Sequence, residues 1–418
     1  MGYLCLPSNL TNKDWREITI GGHGKDHCNK TARRDWIFAK FFGHFAILIY
    51  TVDESERARN QSNDKHMKSV AVIEPNKVTV IDTPVPVPKK YQALVKTEVA
   101  CICNNTDGEL VAGHFPGMEK AFPFALGHES VGTVIEIGDK VRNFQVGGRA
   151  LSGLVFDKEL GVEGLCSGWG GFCEYVLVND HEAMVEDGVA SEEHGWVEVY
   201  EIQTPLPDDI AFEDGVLFCT WREVLGAFRD FHLRPGDDVL IYGGGPVGLS
   251  FVKLGRLFGL GWIGLVDSHE EKRLLASTFG ADGVFQRDDP SLQGIIESRN
   301  GVKLDAVIDA VGKPELIQSG LPLIKRGGSM CVYGFYAGLE SFTVHNNLAD
   351  FNYNLLVHQW PTRLYEKQAQ SSLCEWVRQG KLSGADFISH RFALDQVGDG
   401  LECVRQRKVV KALLGYAD

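Results

Sequence analysis

Asp238-Val-Leu-Ile-Tyr-Gly-Gly-Gly-Pro-Val-Gly248 runs from a short apolar strand into a glycine-rich turn. The turn, Gly243 to Gly248, fits G-x-G-x-x-G. That signal is weak alone, because Gly-rich turns are common. Its setting strengthens it, since an apolar strand precedes it and Val247–Leu257 reads as a helix. Gly243 permits the tight turn, Gly245 lets the backbone approach a pyrophosphate, and Gly248 lets helix and strand pack closely. Pro246 and Val247 open the helix, whose free N–H groups and partial positive charge face the phosphates. Asp267 closes the next strand, Trp262–Val266, at about the 20-residue spacing of a ribose-binding carboxylate. A carboxylate there accepts both ribose hydroxyls and repels a 2′-phosphate, so NAD is favoured over NADP. Lys272 and Arg273, in the following helical stretch Ser268–Phe279, are near enough to approach the ribose.

Outward from this turn the rhythm stays βα. Strand runs recur at Ala306–Ile308 and Met330–Tyr333, which implies a parallel doubly wound sheet over 220–361. Upstream, Val78–Ile81, Gln92–Val99, Ser130–Ile137 and Tyr175–Val178 are short β runs parted by Gly and Pro. They predict a compact β-rich unit over 67–219. The tail, 362–418, carries a helix at Ser371–Arg378 and a last strand at Val409–Leu414. Cys219 stands just before the helix that opens the second unit. Residues 1–66 show no clear period and read as a disordered N-terminal extension, or as a start placed too early, with an accessory helix pair as the rival reading.

The chain has 418 residues and a net charge of −14, with 44% hydrophobic and 23% charged residues. That length supports two or three domains. The acidic balance argues against a nucleic-acid groove and suits a protein of small molecules. Ten cysteines lie scattered, without the spacing of a disulfide scaffold, and most read as reduced thiols. The apolar run Trp36–Val52 is broken by Lys40 and His44 and is too short to span a membrane. It also lies too far from the start for a secretory signal, so the expected location is cytoplasmic.

Gly127-His-Glu129 lies between a Pro-rich apolar loop and a strand. A His beside a Glu is ordinarily a polar pair and nothing more. Upstream is Cys101-Ile-Cys-Asn-Asn-Thr-Asp107 and downstream is Cys219. Thiolate, imidazole and thiolate form a good set for a catalytic zinc, with an open fourth position. Ligands spread over more than 100 residues are not decided by spacing alone.

The segment from about Val70 to the C-terminus resembles the zinc-type alcohol dehydrogenases of the medium-chain dehydrogenase/reductase superfamily. The strongest match is Leu126-Gly-His-Glu-Ser-Val-Gly-Thr-Val134, followed by Gly138 and Val141. Others are Gly170-Gly-Phe-Cys-Glu-Tyr175, Arg234-Pro-Gly-Asp237, Phe279-Gly-Ala-Asp282, Asp309-Ala-Val-Gly312 and Gly327-Gly328. The resemblance implies an α/β fold with a GroES-like catalytic domain and a Rossmann coenzyme domain. By the same resemblance Cys103, His128 and Cys219 are the zinc ligands, and Glu129 is a carboxylate close to the metal. Asp107 orients a ligand, and the Thr106 hydroxyl takes the substrate proton.

The spacing departs from the family's Cys-x-x-Asp by one residue, so Cys101 stands as a rival first ligand. Glu109 replaces a proton-passing His of some members. The stretch Leu151–Gly171 carries only Cys166, so one catalytic zinc and no structural zinc are expected. The implied reaction passes hydride between a secondary alcohol, polyol or sugar derivative and NAD, with the metal as Lewis acid. A homodimer or homotetramer is expected. A zinc-free NADPH quinone or enoyl reductase is the first alternative, and a non-catalytic nucleotide-binding relative the second. Trp169 and Trp221 are candidates to face the substrate.

Overall fold

A computed structural model describes residues 65–115, 121–155, 170–287, 302–336 and 341–416, with 289, 292, 294 and 339. The expectations for residues 1–64, and those for Cys166 and Trp169, lie outside the described residues. In chain order the first elements are β1 (His66–Glu74), β2 (Lys77–Pro84), β3 (Gln92–Ile102), α1 (Thr106–Ala112), β4 (Phe124–Ala125), β5 (Glu129–Ile137), β6 (Arg149–Leu151), β7 (Tyr175–Asn179), α2 (His181–Glu186) and β8 (Pro205–Leu206). Next come α3 (Phe212–Asp230), β9 (Val239–Tyr242), α4 (Pro246–Phe258), β10 (Ile263–Val266), α5 (Glu270–Phe279) and β11 (Gly283–Phe285). The chain ends through β12 (Leu304–Asp309), α6 (Glu315–Gly320), β13 (Ile324–Val332), β14 (Asn354–Val357), α7 (Arg363–Arg378), β15 (Ile388–Ala393), α8 (Val397–Arg405) and β16 (Lys411–Gly415).

The strands from β9 to β14 form one sheet in the order β11-β10-β9-β12-β13-β14, and every pair is parallel. That order reverses direction between β9 and β12, the place where open parallel sheets bind ligands. β9 and β10 are buried throughout, which explains why they read as unbroken apolar runs.

The remaining strands build a seven-stranded sheet, β15-β16-β3-β5-β6-β8 with β7 also on β3, and a three-stranded sheet, β2-β1-β4. β3 lies between β5 and β16 and pairs antiparallel with both. Cys101 is the register partner of Glu129 on one side and of Leu413 on the other. The ends of three strands distant in sequence therefore meet beside Cys103. A shared core joins the two sheets through α3, with Cys101, Val131 and Leu151 on one side and Val239, Ile241 and Leu265 on the other. Among the described residues no helix is long and apolar enough to cross a membrane.

Two helices differ from expectation. Cys219 lies inside α3, not before it. Glu213 and Asp214 mark its first turn, but every residue from Gly215 to Arg222 is buried, so no polar face shows that Cys219 is helical. The tail helix begins at Arg363, eight residues before the expected Ser371. Two of its first inward positions are Arg363 and Glu366, a buried ion pair, which hides the apolar period.

Candidate functional site

Asp107 organises the first half of the site. It stands in the first turn of α1 and is fully buried. Its Oδ2 accepts the backbone N–H of Cys103 at 2.8 Å. Its Oδ1 lies 3.2 Å from His128 Nδ1. One carboxylate thus braces both the loop that carries Cys103 and the ring of His128, and leaves Nε2 as the imidazole's metal-facing nitrogen. His128 follows Gly127, whose φ is +98° and where a Cβ would come within 2.3 Å of the Phe172 ring. Only glycine fits that turn, so Gly127 is a steric requirement of the approach to His128. Burial opposes a charged imidazole at His128, but Asp107 and Cys103 outweigh it and raise the ring's pKa well above the usual value.

Donor atoms of Cys103, His128 and Glu129 all lie within 4.8 Å of one another. Sulfur, imidazole nitrogen and carboxylate oxygen at that separation suit a zinc ion. Glu129 is buried and receives Lys411 Nζ on both oxygens, at 2.6 and 2.5 Å. Thr220 Oγ1 approaches the same carboxylate at 3.4 Å. Thr106 is half-buried at the start of α1. Glu109 sits 3.6 Å from exposed His114.

Cys219 is not one of that close trio. It is buried, and its Sγ lies 3.5 Å from Ser152 Oγ. Burial pushes its thiol up to about 11, while Arg222 pulls the other way. Cys101 also falls outside the trio, packed in the core with its thiol driven well above the usual range by burial. Trp221 does not face a pocket. It is fully buried between Phe218 and Phe387. One turn beyond Cys219, half-buried Glu223 has its carboxyl pushed up to about 7 by burial and the nearby Glu366 charge.

The glycine loop leaves β9 and opens α4. A Cβ on Gly248 would sit 1.7 Å from the Gly243 carbonyl oxygen, so helix and strand pack with no room for a side chain. A Cβ on Gly245 would meet nothing within 4 Å, so the backbone there faces open space that a pyrophosphate can fill. Pro246 occupies the first turn of the helix, followed by Val247. Asp267 Oδ2 accepts the Gly244 N–H at 2.7 Å and ties the loop to the end of β10. Its Oδ1 accepts the His269 N–H at 2.8 Å and lies 3.0 Å from that ring. Against the cost of burial, these hydrogen bonds hold the carboxyl below its usual pKa, so it is ionised. Arg273 donates to the Asp267 carbonyl at 2.7 Å, and the Lys272 stem lies against Gly244.

The sequence reading missed Lys411, Arg222, Ser152, Glu223 and His269. A signal existed for Lys411, a lone cation inside the apolar run 409–414. No local pattern marks Ser152.

Residues 89–186 match the family described as alcohol dehydrogenase GroES-like domain, and residues 246–365 match zinc-binding dehydrogenase. An alcohol dehydrogenase of Cupriavidus necator is 25% identical over 367 residues, covering 79% of this chain and 93% of the relative. Sorbitol dehydrogenase of Bacillus subtilis is 24% identical over 358 residues, covering 82% and 95%. An alcohol dehydrogenase of Escherichia coli CFT073, solved with NADH, superposes with a TM-score of 0.68 at 21% identity, covering 84% of this chain and 99% of its own. The two family matches span more than half of the sequence in the family's order, on a fold of the same kind: the chain belongs to the zinc-type medium-chain dehydrogenase/reductases, the family of alcohol and polyol dehydrogenases.

Proposed function

We propose that this oxidoreductase uses one zinc ion, held by Cys103 and His128 with Cys219 of α3 as third ligand by family resemblance, and passes hydride between NAD and a secondary alcohol, polyol or sugar derivative. The observation that carries the reading is the convergence of Cys103, His128 and Glu129 within 4.8 Å, braced by Asp107. Held by these residues, a zinc ion would supply Lewis-acid polarisation of an alcohol oxygen, and a bound nicotinamide would supply the hydride-transfer chemistry. Asp107 holds the imidazole tautomer. Lys411 neutralises Glu129 and fixes the position of that carboxylate beside Cys103 and His128. Thr106 takes the substrate proton at its hydroxyl. Gly243, Gly245 and Gly248 admit the pyrophosphate, and Pro246 and Val247 present the helix N-terminus to it.

NAD is favoured over NADP because Asp267 is ionised where a 2′-phosphate would lie. Arg273 is engaged on a carbonyl, which leaves it poorly placed as a phosphate clamp. Catalytic segments 67–219 and 362–418, a coenzyme unit at 220–361, assembly into two or four copies and a cytoplasmic location belong to the same reading.

The test is metal analysis of the purified protein together with NAD and NADP reduction over a panel of secondary alcohols and polyols. One zinc per chain and NAD-linked turnover are expected. Metal-free protein that reduces quinones or enones with NADPH would overturn the proposal in favour of the zinc-free alternative.

A further inference from the structure

Arg222 is fully buried in the middle of α3. A buried guanidinium ordinarily sits against a carboxylate, because an unpaired buried charge is strongly disfavoured. Among the described residues its hydrogen bonds end only on neutral acceptors. They are the carbonyls of Phe218 and Ile202, the hydroxyls of Thr204 and Ser152, and the side-chain amide oxygen of Gln370, at 2.9 to 3.3 Å. The cation is held firmly but not neutralised.

Ser152 carries a second anomaly. Its φ is +61°, a left-handed conformation that costs a non-glycine residue energy and persists only where its surroundings enforce it. They do so here. Its N–H donates to the Ser130 carbonyl at 2.9 Å, and its carbonyl accepts Gln203 Nε2 at 2.9 Å. The strained backbone sets the hydroxyl between two groups. Arg222 Nη2 donates to Oγ at 3.1 Å, and Cys219 Sγ lies 3.5 Å beyond.

We propose that Arg222 and Ser152 are positioning residues for the Cys219 sulfur: the guanidinium donates to the Ser152 hydroxyl, and the hydroxyl turns its own hydrogen to the sulfur. The inference rests on Cys219 as a metal ligand. It adds the source of the donor and of the buried positive charge. A metal-bound thiolate accepts hydrogen bonds and cannot donate them, so a hydroxyl already accepting from an arginine is oriented to serve it. Arg222 and Lys411 are the buried cations set against the thiolates of Cys103 and Cys219 and the carboxylates of Asp107 and Glu129, and Arg222 is the one on the Cys219 side.

Ser152→Gly separates this role from a merely structural one. Glycine accepts the left-handed backbone at no cost, which offsets the lost acceptor for Arg222, so the metal-free variant stays folded with an unfolding midpoint near wild type. Loss of the hydroxyl nonetheless weakens zinc binding, measured by competition with a chelator on the full chain, by roughly ten- to a hundredfold. Arg222→Met weakens it at least as much, and Arg222→Lys recovers part of the loss. In cobalt-substituted protein the thiolate-to-cobalt charge-transfer band shifts in Ser152→Gly, since one sulfur has lost its hydrogen bond. Cys219→Ala is the control. If Cys219→Ala weakens metal binding while Ser152→Gly and Arg222→Met leave affinity and band at wild-type values, the relay is wrong and the ligand assignment stands. If Cys219→Ala itself leaves both unchanged, the ligand assignment falls and the relay with it. Should Arg222→Met fail to fold, Ser152→Gly decides alone.

Discussion

The glycine loop and the metal centre solve opposite problems with opposite means. The loop is contiguous, and its chemistry is backbone chemistry: Gly243, Gly245 and Gly248 work by lacking side chains, and one carboxylate, Asp267, ties the turn down. The centre is assembled from β3, α1, β5, α3 and β16 by side chains that are mostly charged and mostly buried. A loop of that kind fails through one misplaced atom. A centre of that kind fails through one uncompensated charge.

The comparison breaks most visibly at His128. His128→Ala removes a donor and frees the Asp107 carboxylate, so zinc should be lost and turnover should fall by more than about a thousandfold, some 4 kcal/mol in barrier. NADH binding, followed by fluorescence, should survive, because no loop residue depends on it. Lys411→Met comes next. It leaves Glu129 buried and unpaired, which should cost about 3–5 kcal/mol of unfolding free energy in denaturant titrations run with chelator. Gly248→Ala attacks the other region. Its Cβ collides with the Gly243 carbonyl, and NADH affinity should fall roughly ten- to a hundredfold while zinc content stays at wild type.

Asp267→Ala sharpens the contrast within the loop. NAD should weaken about tenfold and NADP should not, as read by the two Michaelis constants. The smallest effect is expected at Glu223. Its folded pKa is raised to about 7 from 4.5, so the ionised form destabilises the fold increasingly as pH rises between those values. Glu223→Gln should therefore raise the unfolding midpoint at pH 8 and leave it nearly unchanged at pH 4.

These two regions were unequally legible in the amino-acid sequence. The strand, turn and helix around Gly243 follow from local pattern, because their function needs only contiguous backbone. The parallel doubly wound sheet follows from βα alternation, whereas its strand order, 3-2-1-4-5-6, is a tertiary fact. Cys103, His128 and Asp107 could be named only through resemblance, since nothing local says that β3 is flanked by both β5 and β16. Cys219 was seen but set outside its helix, because α3 is buried on all sides there. Lys411 went unread because its partner lies 282 residues away. Ser152 left no trace, since a strained φ has no signature unless glycine occupies it. Charge pairs and strain are tertiary facts. Glycine turns and apolar periods are local ones.

X-ray absorption at the zinc edge tests the central claim most directly, because it counts the sulfur atoms around the ion in the intact protein. Two sulfurs at about 2.3 Å with lighter donors near 2.0 Å are expected from Cys103, Cys219 and His128. A shell of nitrogen and oxygen alone, or one with a single sulfur, would contradict the assignment.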